Sequence, residues 1–474
     1  YTIIKSMLNL LPDSTWHNPN RTWLEPGSGF GGFTICVINR LLIGLEECIH
    51  NFNDRLKHIL ENMVYMVEYS KENVDKCRKL LGDTINVYHS DFLKEWKDIP
   101  IQKFDIILGN PPFNYNGMRG KGRKNKDFKV IWPSFIEISL TILKKDGYLL
   151  FFTPNSWTEF KSRISKSILD RQLLYYRNYD VFIAYKIFDK KAGSLPLCYF
   201  LLKNTKTEHA TQIYDKLTQA YQSYNIYDTY VIPNMNINLI KKVIKKTRIL
   251  GNLENNFFFT PAKVKKDTTR YQSKFSQVYC FPLINYTHKK LYISYSSEKS
   301  KFQNLRPKLI FPNYSMGYPI LDVTGILDVG GRSSYVIYIE DDTINKLKKL
   351  QRLFFTPMVF AIINSLKTAQ KFLSTRTFDL IPKIYNDGDV NFDITDNDTK
   401  LNKYFNLNEQ DITGIDYQLN KGEGNLTVEL KQKLINFSIN DILTKRRISY
   451  IVNRIKDSDF TTITKNNKRS NIII

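Results

Sequence analysis

The segment Thr22-Trp23-Leu24-Glu25-Pro26-Gly27-Ser28-Gly29-Phe30-Gly31-Gly32-Phe33 leaves this chain few folds to choose from. A short strand runs directly into a glycine-rich turn, and the apolar stretch from Phe33 to Leu42 reads as the helix after it. That order is the opening unit of a doubly wound α/β sheet, which receives a nucleotide-like ligand at such a turn. Gly27 and Gly29 let a ligand approach the backbone closely. A glycine-rich turn alone is a weak signal, so the spacing of the later strand ends matters.

Three further apolar runs come after it, each ending in polar residues. Met63 to Val67 reads as a second strand ending in Glu68, before a helical pattern carrying Val74, Cys77 and Leu81. Ile85 to Tyr88 reads as a third, followed by His89-Ser90-Asp91-Phe92-Leu93. Phe104 to Gly109 is a fourth and is closed by Asn110-Pro111-Pro112-Phe113. An acid at Glu68 suits a ribose diol, and Asp91 can accept from an adenine amino group. A single such carboxylate is more often a solvated strand end, but an ordered series of strand-end features is harder to obtain by chance.

The tetrapeptide carries the chemistry. An aromatic exocyclic amine is a poor nucleophile because its lone pair is delocalised into the ring. The Asn110 side-chain oxygen and the Pro111 carbonyl can accept both amino hydrogens, while the two prolines fix the backbone that presents them. Phe113 can stack on the base. Preorganised dipoles of this kind require no metal and no strong general base. Asn-Pro is also a common turn starter, and the glycine turn upstream is what favours the catalytic reading.

These residues resemble the N6-adenine DNA methyltransferases, in the arrangement that places cofactor motifs first, the catalytic motif next and the target recognition domain last. The resemblance covers roughly residues 1–205. It implies a Rossmann-like domain dependent on S-adenosyl-L-methionine. Glu25, Pro26, Gly27 and Gly29 match the cofactor loop, Glu68 the ribose acid, and Asp91 and Phe92 the adenine site. Asn110, Pro111, Pro112 and Phe113 match the catalytic motif, with Asn110 also beside the cofactor. Two departures stand out. An insertion around Glu46 to His58 lengthens the interval before Glu68, and the amino-terminal motif is reduced to a remnant at Met7 to Pro12.

Further along, Val130 to Leu143 has helical spacing, and Tyr148 to Phe152 reads as the fifth strand. Trp157 follows it and is read as core rather than pocket. Tyr179 to Phe188 and Pro196 to Leu202 are expected to form a closing β-hairpin. The reading divides the chain into a catalytic domain over 1–205, a connector over 206–250, a mixed α+β target recognition domain over 251–420 and a basic helical tail over 421–474. That tail contains Lys445-Arg446-Arg447.

With 474 residues, 69 Lys plus Arg against 46 Asp plus Glu, and a net charge of +23, the chain favours a polyanionic partner, which the resemblance makes double-stranded DNA, although an acidic protein substrate or a membrane surface would also account for the charge. The expected phosphate contacts are Arg119, Lys121, Arg123, Lys124 and Lys126, with Lys129, in the loop after the tetrapeptide. Five scattered cysteines, without a close pair, argue against a disulfide framework or zinc knuckle and read as buried thiols. No metal-ligand spacing, transmembrane-length run or secretory signal is present in the sequence. A cytoplasmic protein of a bacterium, phage or large DNA virus is expected, with no membrane partner. A cognate restriction nuclease, separate or fused upstream of Tyr1, is a partner consistent with the resemblance.

Other acceptors stay open at this point. The same tetrapeptide serves methylases of RNA bases and of protein glutamine, and it orients an amine without naming its ring, so cytosine N4 is an alternative. A non-catalytic DNA-binding subunit is a further one. The roughly 270 residues after the catalytic domain favour DNA.

Overall fold

Parallel strands covered on both faces read as continuous apolar runs, and four such runs build the centre of the sheet that carries the site. The computed structural model describes residues 2–114, 130–159, 162–179, 183–184, 196–228, 231–249, 271–286, 291–300, 302–312, 318–329, 334–339, 344–366, 378, 380–382, 384, 399–421, 427–441 and 443–470. It divides into two compact units, Tyr1–Asn234 and Met235–Ile474.

The first unit runs α1 (Thr2–Leu8), β1 (Trp23–Pro26), α2 (Gly32–Gly44), α3 (Phe52–His58), β2 (Val64–Glu68), α4 (Lys71–Leu81), β3 (Asn86–His89), α5 (Phe92–Glu95) and β4 (Phe104–Gly109). It continues with α6 (Trp132–Ile142), β5 (Leu143–Pro154), α7 (Arg163–Leu169), β6 (Gln172–Tyr179), β7 (Leu197–Lys203), β8 (Thr211–Asp215) and β9 (Ala220–Tyr224). All nine strands share one sheet in the order β3-β2-β1-β4-β5-β7-β6-β8-β9. Strands β1 to β5 are mutually parallel where they pair, and β7 runs antiparallel between β5 and β6. This is an α/β Rossmann-like sheet, differing from the dinucleotide-binding order by the inserted antiparallel strand.

Register lines up the carboxyl ends. Pro26 pairs with Val67, Glu68 with His89 and Gly109 with Phe151, so the turns after β1, β2, β3 and β4 emerge at one edge. Behind that edge, Trp23 stacks on Trp16 with ring centres 4.8 Å apart. The insertion after α2 is absorbed by α3 and the π-helical turn Ile59–Met63, which leads into β2.

Three expectations need correction. The hairpin partner of β7 is β6, Gln172–Tyr179, rather than Tyr179 to Phe188, of which residues 180–182 and 185–188 lie outside the described residues. The first unit ends at Asn234 rather than near 205, because β8 and β9 extend the sheet through what the sequence presents as a connector. Among the five thiols, Cys48 is exposed while the others are buried.

The second unit is mixed α+β. It opens with α8 (Ile237–Ile249) and holds a four-stranded sheet of β10 (Tyr271–Gln272), β11 (Phe281–Tyr286), β12 (Leu291–Ser296) and β15 (Asp328–Val329). A three-stranded sheet is made by β13 (Lys308–Pro312), β14 (Ile320–Asp322) and β16 (Ser334–Ile337). Helices α9 (Ile344–Phe354), α10 (Pro357–Ser365), α11 (Thr399–Tyr404), α12 (Glu409–Lys421), α13 (Val428–Ile435) and α14 (Lys445–Ser470) complete it. Lys308 faces Asp322 across β13 and β14 as an ion pair at 3.0 Å, with both side chains fully buried. Asp322 also accepts from the backbone N–H groups of Thr324, Gly325 and Leu327, which satisfies a charge that burial would otherwise penalise. Among the described residues, no helix is long and apolar enough to cross a membrane.

Candidate active site

A cavity of about 290 Å³ opens at the carboxyl edge of the sheet in the first unit. Gly27 and Gly29 form one side, Glu68 and Asp91 another, and Asn110 with Pro112 closes it toward β4. The wall between them is aromatic, where Phe92 stacks on Phe135 with centroids 5.3 Å apart and planes at 27°.

Three backbone turns shape it. Gly27 and Gly29 adopt φ +70° and +55°, conformations that favour glycine. The N–H groups of Gly27 and Ser28 donate to the Val67 carbonyl, which locks the turn onto the end of β2. Glu68 completes the lock, one carboxylate oxygen accepting from Gly29 N–H at 2.8 Å and the other from Ser70 N–H at 2.9 Å and Asn73 Nδ2 at 3.1 Å. A cavity that presents a fixed acid beside bent glycine backbone can hold a polar ligand carrying hydroxyl donors. Asp91 caps α5 by accepting from Leu93 N–H at 3.1 Å, and its other oxygen lies 3.1 Å from the Lys94 ammonium.

Asn110 departs from this pattern of satisfied groups, as does Asp91 Oδ2, which has its ion pair but no hydrogen bond among the described residues. The Asn110 Oδ1 is buried and has no hydrogen-bond partner among the described residues, although the side chain lines the cavity. Buried acceptors are nearly always paired, so an unpaired amide oxygen at a cavity wall is free to accept from a ligand donor. Pro111 is buried and Pro112 exposed at the cavity, so the dipeptide bridges core and site. The Phe113 carbonyl accepts from Ile131 N–H at 3.1 Å, while its half-buried ring packs against the core.

Glu25 sits apart from the cavity lining. It is 4% exposed, and one oxygen accepts from Thr34 N–H at 2.9 Å and from Thr34 Oγ1 at 2.6 Å. It therefore fastens the end of β1 to the start of α2. Burial pushes its pKa up to about 7, against the lowering effect of the Thr34 hydrogen bonds and with a further raising contribution from Glu68. Trp157 is fully buried against Tyr176 and Phe200, in the core as the sequence reading has it.

The cavity thus gathers Gly27, Gly29, Glu68, Asp91, Phe92, Asn110 and Pro112, and leaves Glu25, Pro26, Pro111 and Phe113 behind or beside it. Arg119, Lys121, Arg123, Lys124, Lys126 and Lys129 lie outside the described residues. Sequence reasoning missed Tyr69, Asn73, Asn114 and Phe135, which also line the cavity. Tyr69 follows Glu68 directly, so its place after a strand-end acid was a usable signal, whereas Phe135 reaches the site from a helix far along the chain.

The family model of the Eco57I restriction-modification methylases matches residues 37–188, a span that contains Glu68, Asp91 and the whole Asn110 to Phe113 turn. The match takes in about a third of the chain and is a likeness to that family over those residues. The type II methyltransferase M.BamHI of Bacillus amyloliquefaciens is 23% identical to the chain over 130 residues, 26% of this chain and 31% of that protein. Among solved structures, a modification subunit of a putative type I restriction enzyme from Vibrio vulnificus YJ016 is similar at TM-score 0.33 and 16% identity, covering 45% of each chain. The type IIL restriction-modification enzyme MmeI, solved in complex with DNA, is similar at TM-score 0.46 and 8% identity, covering 80% of this chain and 65% of that one. The chain spans about a third of the curated relative it matches. The fold of the first unit rests on its own strand order rather than on these likenesses.

Proposed function

We propose that the chain is a site-specific DNA adenine-N6 methyltransferase that uses S-adenosylmethionine. The observation that carries this reading is the buried, unpartnered Oδ1 of Asn110 at the wall of a cavity whose other side is a bent glycine turn. The residues present fit the cofactor. Around Gly29 a Cβ would meet nothing within 4 Å, so the turn leaves open space for a ligand. Glu68 and Asp91 supply carboxylates for ribose and adenine donors, and the Phe92–Phe135 wall supplies an apolar face for the purine. When bound, S-adenosylmethionine supplies an electrophilic methyl group on a sulfonium.

The chain's own residues do the rest. Asn110 Oδ1 and the Pro111 carbonyl accept the two hydrogens of an amino group, which returns lone-pair density to the nitrogen. Because Pro111 and Pro112 fix φ, the acceptors need little reorganisation as charge develops. Holding the amine in line with the methyl-sulfur bond removes much of the entropic barrier. The target nitrogen is inaccessible within a stacked duplex, so the adenine must be extruded into the Asn110 pocket. The second unit serves as the target recognition domain in this reading, and a cognate nuclease is its natural functional partner.

The experiment is incubation of the protein with duplex DNA and labelled cofactor, followed by nucleoside analysis. Label in N6-methyladenine supports the reading. Label in cytosine, RNA or protein, with none in adenine of duplex DNA, contradicts it.

A further inference from the structure

We propose that a second cavity, lying wholly within the second unit, is a binding site for the phosphodiester backbone of duplex DNA. It has a volume of about 570 Å³ and is lined along one side by Asn345, Lys348, Lys349 and Arg352 of α9. These positions are three, four and seven residues on from Asn345, so they form one stripe on a single helix face. Asn436, after the end of α13, adds a second side-chain amide, and no carboxylate lines the cavity among the described residues. The cations of Lys348 and Arg352, with the amides of Asn345, Gln351 and Asn436 and no acid among the described lining residues, suit an anion. Arg presents a planar fork that matches phosphate oxygens and Lys a mobile point charge, the pairing used for phosphate recognition.

The walls are fixed independently of any ligand. Gln351 is 2% exposed, and its Nε2 donates to the Pro319 carbonyl at 3.1 Å and to the Leu434 carbonyl at 3.4 Å. One buried amide thereby ties α9 to the chain entering β14 and to α13, so the cationic stripe is carried on a rigid support. Lys348 and Arg352 are exposed at the cavity mouth rather than enclosed. That placement suits a polymer backbone crossing the surface better than a small anion taken into the interior. Contacts of this kind position the protein on DNA without reading sequence.

The inference rests on the DNA reading above, and one experiment separates the two. The full-length protein and the Lys348→Gln/Arg352→Gln variant are titrated with a duplex over a range of salt, while methyl transfer to DNA is measured for both. Loss of two phosphate contacts is expected to lower the slope of log affinity against log salt by about 2, and to weaken binding equally for unrelated sequences. Cofactor affinity in the first unit is expected to be unchanged. A charge-matched control, Lys274→Gln/Lys403→Gln, removes two exposed cations elsewhere in the unit and is expected to leave the slope nearly as in the wild type. If the wild type methylates DNA and the cavity variant keeps its slope, the cavity assignment fails and the functional reading stands. Equal losses in variant and control overturn it in favour of bulk charge. Tight binding of inorganic phosphate that the variant loses, with DNA affinity intact, overturns it in favour of a small-anion site. A wild type that neither binds nor methylates duplex DNA overturns both.

Discussion

A Cβ placed on Gly27 would stand 3.0 Å from Cδ of Pro112, so the turn after β1 and the turn after β4 touch at the floor of the cavity. The glycine turn and the Asn110 to Phe113 turn are therefore packed directly against each other.

Gly27→Ala should harm turnover more than Gly29→Ala does. Both positions have positive φ and incur backbone strain of about 1–2 kcal/mol on gaining a Cβ. Only at Gly27 does that atom press on Pro112, while at Gly29 it meets nothing within 4 Å. Single-turnover methyl transfer at saturating cofactor is expected to fall about tenfold or more for Gly27→Ala, with a smaller change for Gly29→Ala. Equal losses would show that the two turns are not coupled.

Gly29→Asp adds a carboxylate beside the Glu68 oxygen that accepts the Gly29 N–H at 2.8 Å. Repulsion opens the turn, and a side chain enters the cofactor space. Calorimetric titration should detect no cofactor binding, and affinity equal to the wild type would contradict the role given to this turn.

Glu25 predicts a specific pH dependence of stability. Its pKa is about 7 in the folded protein against an ordinary value of 4.5. Between those values the folded state holds a proton that the unfolded chain has released, so this group's contribution to stability falls as pH rises through the window. The change is on the order of 3 kcal/mol. Glu25→Gln keeps an oxygen to accept from Thr34 and removes the titration. Denaturation across pH 4 to 8 should show the variant gaining on the wild type through this range and then levelling off. Parallel curves for the two proteins would refute the buried-carboxyl account.

The Lys308–Asp322 pair should behave as a buried ion pair. Lys308→Ala leaves the Asp322 carboxylate uncompensated in the interior and is expected to cost about 3–5 kcal/mol in the second unit. Replacing both partners with apolar residues of similar volume is expected to cost far less. Chemical denaturation of the single and double variants checks the difference, and a neutral Lys308→Ala would contradict it.

Much of the first unit was legible because its strands announce themselves. Trp23 to Pro26, Val64 to Glu68 and Phe104 to Gly109 are apolar runs ending in glycine, acid or Asn-Pro, and each lies where the sequence reading puts it to within a residue or two. β6 was harder to see. Gln172 to Tyr179 mixes Tyr, Arg and Asn with a register shift between Leu173 and Tyr175, which breaks the two-residue alternation a strand is read from. β8 hid for a different reason. Its inward residues are Thr211, Ile213 and Asp215, and the two polar ones are buried only because they find partners, Thr211 Oγ1 donating to the Leu173 carbonyl and Asp215 accepting from Leu217 N–H. Hydrogen bonds supplied what apolar composition did not, so the domain seemed to end near 205. Glu25 shows the limit at the site itself. The motif places it at the cofactor turn, yet its direction is set by Thr34, nine residues on, and no strand-end pattern encodes that.

The central claim is that Asn110 activates an adenine amine, and the most direct measurement compares wild type with Asn110→Ala. Both proteins are given duplex DNA and labelled S-adenosylmethionine, with nucleoside mass spectrometry of the product and calorimetry for the cofactor. The account predicts N6-methyladenine at a recurring motif from the wild type. For the variant it predicts near-normal cofactor affinity and turnover lower by about 10²-fold or more. Wild-type-like methylation by Asn110→Ala, or wild-type product without N6-methyladenine, would contradict it.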